Sequence, residues 1–470
     1  MNTKALRQKI LDLAIHGKLV PQDPNDEPAS VLLERIKAEK ERLIKEGKIK
    51  RTKRSKAACD KPHYPFELPE GWCWTKVGEI SKSILYGVSE SAKSKGEYKL
   101  LRITDIQNNA VDWNTVPYTD YDEHRANAYR ISDGDILFAR TGATVGKSYL
   151  VKGLQDKAIY ASYLIRVQTF NEILPEYVKY FFESGFYWEQ IQKDSVGIGQ
   201  PNVNGTTLSQ LDLPIPPINE QHRIVNELGS WLNIIDAIDN GKTELQIAIK
   251  RTKSKILALA IHGKLVPQDP SDEPANELLK RINPKAEITC DNPQYGKLPN
   301  GWCEVQLGDV FNHNTGKALN ASNTEGSMKR YLTTSNVYWN AFDFTTVKQM
   351  YYKDSELDKC SITKGDLLVC EGGDVGRAAI WNFNYDICIQ NHLHRLRPKL
   401  GDLCVSLYYY VFYYLKVNNM ISGKGIGLLG LSSNALHKLH VPLPPINEQH
   451  RIVAKIEELF TQLDKIEASL

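Results

Sequence analysis

No two of the eight cysteines are spaced as C-x-x-C, and no histidine pair stands at zinc-finger spacing. A structural metal site is therefore not expected, and thiols scattered through 470 residues fit a reducing cytoplasm better than a disulfide framework. Charge of one sign is missing too: 59 Lys and Arg stand against 56 Asp and Glu, a net +3. A chain so nearly neutral is no polycation, and any nucleic-acid surface has to be a local patch. No apolar run approaches the ~20 residues that cross a bilayer. The N-terminal MNTKALRQKILDLAIHGKLV carries charges through its apolar stretch, as a secretory signal does not. The expectation is a cytoplasmic protein with no membrane contact. What the chain does have is ordinary: 41% apolar, 24% charged and 9% aromatic residues, enough for several globular domains.

Catalytic signatures are also lacking. TGATVGKS (141–148) resembles a phosphate-binding loop but has Thr141 where that loop needs glycine, and the matching GGDVGRA (372–378) has Arg and Ala for Lys and Ser. A turn at a strand end is expected there, with Lys147 and Arg377 available to a phosphate. His16, His262, His222 and His450 recur, yet Arg, Lys and Gln surround them and no Cys or carboxylate triad accompanies them. Helix packing or partner contact is their expected role. There is no F-x-G-x-G loop, no N/D-P-P-Y/F tetrapeptide, no DEAD box and no convincing nuclease site. The chain is expected to do no chemistry alone.

The information lies in self-similarity. Lys9–Ile36 and Lys255–Ile282 agree at 23 of 28 positions with no gap, around the shared AIHGKLVPQDP. Pro216–Val225 and Pro444–Val453 both read PPINEQHRIV, and LPEGWCWTKVGEI (68–80) is answered by LPNGWCEVQLGDV (298–310). The first half carries its extra length in a linker holding KIKRTKRSK (48–56), either a solvated linker or a phosphate-contacting arm. Residues 447–470 match 219–242 and 1–36 match 247–282. Joined tail to head, the termini would rebuild the central segment apart from about four residues: a closed two-fold repeat, opened within one connector.

That connector reads as a helix. Ile224, Leu228, Trp231, Ile235, Ile238, Lys242, Leu245, Ile249, Thr252, Ile256 and Leu259 step by fours and threes, a heptad seam interrupted at Lys242 and Thr252. Ile452, Ile456, Leu459, Leu463, Ile466 and Leu470 continue the phase in the second copy, and Leu6, Ile10 and Leu13 supply the N-terminal piece. Such a stripe has to be buried, so an antiparallel, coiled-coil-like pair is expected, the central helix against the N- and C-terminal helices, with Asn240-Gly241 able to kink or split it.

Between the helical blocks lie two segments with short β-rich runs, such as YKLLRITDI (98–106), DGDILFART (133–141), KRYLTTSNV (329–337) and KGDLLVCEG (364–372). Helical stretches follow at 173–193 and 402–416. The fold class is α+β, with two such domains in pseudo-two-fold arrangement separated by long antiparallel helices. The expected boundaries are 1–61 (helical region and basic linker), 62–218 (first domain), 219–291 (central helical region), 292–445 (second domain) and 446–470 (C-terminal helix). Outside a few scaffold positions the two domains differ greatly, which suggests that each recognises something different.

Taken together, the paired LPxGW segments and PPINEQHRIV blocks, the helix that follows and the GKLVPQD…LLxRIKAEK tail resemble the specificity subunit of a Type I restriction–modification enzyme over essentially the whole chain. Many members carry that tail at the C-terminus; here it stands first, as Gly17–Lys40. The resemblance implies two target recognition domains reading one bipartite, asymmetric stretch of double-stranded DNA. It implies helices that dock two methyltransferase subunits and, through them, two restriction/translocase subunits. S-adenosylmethionine, ATP and Mg²⁺ would belong to those partners, and this chain would hold no cofactor. Bases are read by Arg or Lys on guanine and Asn or Gln on adenine. The candidates flanking the strands are Arg102, Thr104, Arg140, Thr144, Lys147, Gln200 and Asn202 in the first domain. In the second they are Lys317, Thr334, Ser335, Asn336, Arg377 and Lys424. Glu220, Gln221, Arg223, Glu448, Gln449 and Arg451 are the expected partner-docking residues. The alternatives are a stand-alone two-headed DNA-binding protein and an enzyme using the 141–148 loop for a nucleotide.

Overall fold

The computed structural model describes residues 2–49, 64–141, 145–193, 203–286, 295–320, 324–421 and 431–470. The basic run expected at 48–56 lies almost wholly outside them. Two compact units divide the chain, residues 1–241 and 242–470, the cut falling inside one helix, Ile218–Ile261. That helix is unbroken at Asn240-Gly241.

Each unit holds one antiparallel helix pair. In the first, helix Thr3–Ile15 shares a core with the opening turns of the long helix: Ile10, Leu11, Ala14 and Ile15 cluster with Ile224, Leu228, Leu232 and Ile235, and Arg7 pairs with Asp236. In the second, Ile256, Leu257, Ala260 and Ile261 share a core with Ile452, Val453 and Ile456 of helix Ile446–Ala468, while Lys253 bonds Asp464 (2.5 Å) and Glu467 (3.2 Å). Since 3–15 repeats 249–261 and 446–468 repeats 218–240, this is one pair made twice.

The seam differs from the heptad reading. In the long helix the buried positions run 224, 228, 232 and 235, passing through Leu232 where the heptad has Trp231, while in the second copy Ile452 and Ile456 are buried and Leu459 and Leu463 pack behind them as the heptad has them. Trp231 is consequently exposed, its indole N–H donating to Glu227 (2.8 Å), and Leu245 and Ile466 are exposed too.

Both helix pairs lead into the same α+β architecture. A two-stranded tie joins the start and finish of each domain: Cys73–Lys76 with Asp212–Ile215, and Cys303–Gln306 with His440–Leu443, both antiparallel. Within lies a four-stranded antiparallel sheet, Ser81–Tyr86, Leu164–Thr169, Ile136–Ala139 and Ser148–Leu150 in spatial order. The second domain repeats it as Phe311–Thr315, Leu393–Pro398, Leu367–Cys370 and Ala378–Ile380. A second sheet holds Tyr98–Leu101 between Tyr118–Thr119 and Ala158–Tyr160; its counterpart is larger, with Ser327–Leu332 between Lys348–Tyr352 and Ile387–Ile389.

One buried arginine per domain ties a loop to its sheet. Arg166 donates to the carbonyls of Ala128 (3.1 Å) and Arg130, and Arg395 to those of Asp358 (2.6 Å) and Ser361 (2.8 Å). Helix lengths follow local sequence. Ala29–Lys45 runs 17 residues, whereas its copy Ala275–Ile282 stops after 8, because Pro284 disfavours helical backbone at Asn283.

Candidate nucleic-acid interface and the repeated joint

The three repeated motifs meet at one carboxylate in each unit. Glu220, from the first PPINEQHRIV, accepts from the Trp72 indole of LPEGW and the Gln22 amide of KLVPQD, each at 3.0 Å. Glu448 accepts from Trp302 at 2.9 Å and Gln268 at 3.0 Å. The neighbouring Gln221 accepts from the Leu174 backbone (3.1 Å) and donates to the Pro216 carbonyl (3.0 Å). Gln449 does the same with Cys404 (3.2 Å) and Pro444 (2.9 Å). Arg223 and Asn219 close on Asp26, as Arg451 and Asn447 close on Asp272. The Arg223 guanidinium holds the Asp26 carboxyl below the usual carboxylate range, while burial pushes Glu220 up against the two donors that favour its charged form.

Glycine completes the joint. Gly17 and Gly263 end their helices at φ +64° and +65°, and the next amide reaches back to Leu13 or Leu259 at 2.8 Å. A side chain there would run into Pro69 or Pro299 of the LPxGW segment. His16 and His262 bond the carbonyls of Asp12 and Ala258 one turn earlier (2.6 Å each), a helix-end role as expected.

This bears on the residues expected to meet a partner. Glu220, Gln221, Glu448 and Gln449 are at most 1% exposed and their polar atoms are engaged within their own unit, so they hold the joint and present nothing outward. Only Arg223 and Arg451 remain half-exposed, each shared with its aspartate. The reason is steric and dielectric: a glutamate at a helix start, under a tryptophan, is sheltered from water and needs internal donors.

In the first domain the strand ends gather Arg102, Thr104 and Arg140 along one edge. Ala161 N–H donates to the Leu101 carbonyl (2.9 Å), and Arg140 N–H to that of Tyr163 (3.0 Å). Thr104 is exposed; Arg102 is bound to Asp105 through both guanidinium (2.7 Å) and backbone (2.8 Å). The Arg140 guanidinium lies 4.9 Å from the ring centre of the half-exposed Tyr86, its Nε without a partner, and Tyr163 stands 61% exposed alongside. Lys147 is exposed on the next turn. Thr144, Gln200 and Asn202 lie outside the described residues.

The second domain builds the same edge differently. Arg377 donates to the Thr334 carbonyl (2.6 Å) and stacks 5.1 Å from the centre of exposed Tyr338, bringing Arg377, Thr334 and exposed Ser335 together. Two candidates are otherwise engaged. Asn336 is buried and caps its turn, accepting from Thr333 N–H (2.8 Å) and donating to the Asp343 carbonyl (2.9 Å). The Lys317 ammonium sits on the Tyr351 carbonyl (3.0 Å) and Glu356 (2.6 Å). Neither offers a group to a base, because each satisfies a polar neighbour of its own. Lys424 lies outside the described residues. The aromatic partners Tyr86 and Tyr338, and the exposed Tyr163, escaped the sequence reading, which searched for hydrogen-bonding side chains and gave stacking no weight.

The described ends of the two segments resembling a phosphate cradle lie between antiparallel strands. Gly146 (φ +79°) donates to Ala139 and Gly376 (φ +81°) to Cys370, and strands rather than a helix follow. Without a helix N-terminus the turn lacks the dipole and amide fan of a phosphate loop. Burial pushes the Cys370 and Cys388 thiols up to about 11, so they stay protonated at neutral pH. Among the described residues no group of three or more His, Cys, Asp or Glu could hold a metal ion, and no helix is long and apolar enough to cross a membrane.

A helical frame stapled twice by the same joint, carrying two α+β domains with unlike edges, defines a class of paired recognition modules. Residues 69–247 and 299–470 match the family model of the Type I restriction modification DNA specificity domain, and the chain belongs to that family. It is 27% identical to the Type I restriction enzyme EcoAI specificity subunit of Escherichia coli, over 98% of this chain and 90% of that protein. To the EcoEI specificity subunit of the same organism it is 26% identical, over 99% and 90%. The HsdS subunit from Thermoanaerobacter tengcongensis shares the fold, with TM-score 0.50 and 20% identity over 86% of this chain and 93% of that one. So does a chain from a type I R-M system complex, with TM-score 0.59 and 20% identity over 86% and 94%.

Proposed function

We propose that this chain is the non-catalytic, DNA-reading subunit of a Type I restriction–modification complex. Each α+β domain reads one half of a bipartite, asymmetric target, and the helices set the unread spacer between the halves. Two methyltransferase subunits dock on the helical blocks and two restriction/translocase subunits join through them; these partners bring S-adenosylmethionine, ATP and Mg²⁺. The half-exposed Arg223 and Arg451 and the exposed Trp231 and Ile234 support docking on the helices.

The observation that carries the reading is the contrast between joint and edge. The joint is made twice from the same residues, whereas position 140 is an arginine stacked on tyrosine and its counterpart in the second domain, Glu371, is an acid beside His392 (3.3 Å). A duplicated frame holding dissimilar edges suits two different half-sites. The test is modified-base sequencing of a host genome with and without this gene, its methyltransferase partner present in both. Methyladenine should vanish from one bipartite motif when the gene is removed. If no motif depends on the gene, the reading fails and a stand-alone DNA-binding role takes its place.

A further inference from the structure

The two domains differ in a strand pair whose first strand the sequence reads as a β-rich run, KRYLTTSNV (329–337), without Arg330 or Gln349 among the candidate DNA contacts. In the first domain Tyr98–Leu101 is buried throughout and pairs with only two residues of Tyr118–Thr119. In the second, Ser327–Leu332 is longer and pairs with Lys348–Tyr352 over five residues, but meets the rest of its sheet only at Tyr331 and Leu332. Ser327, Met328, Lys329 and Arg330 are therefore exposed in succession, as are Lys348 and Gln349 opposite. Residues 327–330 are thus exposed on both faces of the strand while the partner strand stays anchored through the buried Tyr352, and burial does not explain the sequence of 327–330.

We propose that this ribbon is the base-reading element of the second domain and enters the major groove of its half-site; the inference rests on the specificity reading above. The major groove of B-DNA admits a two-stranded ribbon, and the side chains here suit it. Arg330 and Gln349 are direct cross-strand partners, so they project together from one face. Arginine can bind guanine O6 and N7 at once, and glutamine adenine N6 and N7. Met328, 48% exposed and two residues from Arg330 on the same face, offers an apolar contact to a thymine methyl. Lys329 and Lys348 are exposed on the opposite face, where they would meet phosphates flanking the bases.

Charge favours the same occupant. SMKRYL and KQMYY contain no acid, and the carboxylates nearest the ribbon are already paired, Glu325 with Lys353 and Glu356 with Lys317. Nothing else in the described second domain offers an arginine and a glutamine in register on an exposed strand pair.

The experiment uses the full chain assembled with its methyltransferase partner and reads the methylated motif for the unaltered chain, for R330A/Q349A and for R330K. The double variant should leave one half of the motif intact and make one or two positions of the other half degenerate. Discrimination there should fall about fivefold to 150-fold per lost pair. R330K should shift or relax one position of the same half, because a single ammonium cannot reproduce the bidentate fork. If both variants methylate the original motif as selectively as the unaltered chain, the ribbon does not read bases and this inference is overturned while the specificity reading stands. If the double variant loses all modification, R330K decides: a change confined to one half supports the ribbon, and an unchanged motif overturns it. If no motif depends on the unaltered chain, the specificity reading itself has failed.

Discussion

Glu220 and Glu448 each hold three sequence motifs at a point, so the joint depends on single side chains. Glu448→Ala leaves the buried Trp302 indole N–H without an acceptor and the Gln268 amide with only the Gly263 carbonyl, and we expect the second unit to lose roughly 2–4 kcal/mol in equilibrium unfolding. A loss below about 1 kcal/mol would show that the joint is not organised by this carboxylate. Arg223 carries two tasks: reversing its charge sets a carboxylate beside Asp26, so any loss of subunit assembly has to be read together with a melting curve. His313 and His394 face each other at 3.0 Å in the second domain's sheet, where the first domain has Ile84 and Ile165. Burial, and then the neighbouring His394, push His313 down to about 4. The unfolded chain takes up a proton near the ordinary value of 6.5 and the folded chain does not until about 4. The second unit therefore loses stability as pH falls from 6.5 towards 4, and keeps it above 6.5. Hydrogen exchange at pH 7 and pH 5 should show amide protection falling in the second unit with no matching loss from this source in the first; equal loss in both would remove the histidine pair as the cause. The recurrence of Trp72, Gln22 and Glu220 could be read from the sequence, but their convergence could not, because nothing local says that a tryptophan 148 residues from a glutamate shares its hydrogen bond.

At the scale of elements, the pairing of the N-terminal and C-terminal segments with the long helix was legible because one amphipathic stripe recurs in two copies. Its phase in the long helix was not. A 3.5-residue seam and a 3.6-residue stripe agree over two turns and part at the third, where Leu232 is buried and Trp231 is turned out. Leu228→Ala should therefore cost about 2–5 kcal/mol through the cavity it leaves, and Trp231→Ala well under half of that. Comparable losses from the two would restore the heptad seam. The segment resembling a phosphate loop shows the same limit: its glycines and lysine were visible, but a strand, Ser148–Leu150, follows it where a phosphate loop needs a helix. Among the candidate DNA-contacting residues, Asn336 and Lys317 looked available because their types suit a base. Each instead answers a local need, a turn's open donor for one and a carboxylate for the other.

For the whole molecule, a frame specified twice by identical residues leaves the domains between them free to differ. The antiparallel ties at 73–76 with 212–215 and 303–306 with 440–443 close each domain on itself, and the glutamines of the joint take only a backbone N–H from within it, that of Leu174 or Cys404, which an exchanged domain can supply again. The measurement that tests this most directly replaces residues 77–211 with the corresponding segment of a specificity subunit that directs a different motif, then reads the methylated motif of the assembled complex. One half of the bipartite motif should become that of the donor while the other half and the spacer stay as they were. A change in both halves, or a properly folded and assembled chimera that still modifies the original motif, would contradict the account.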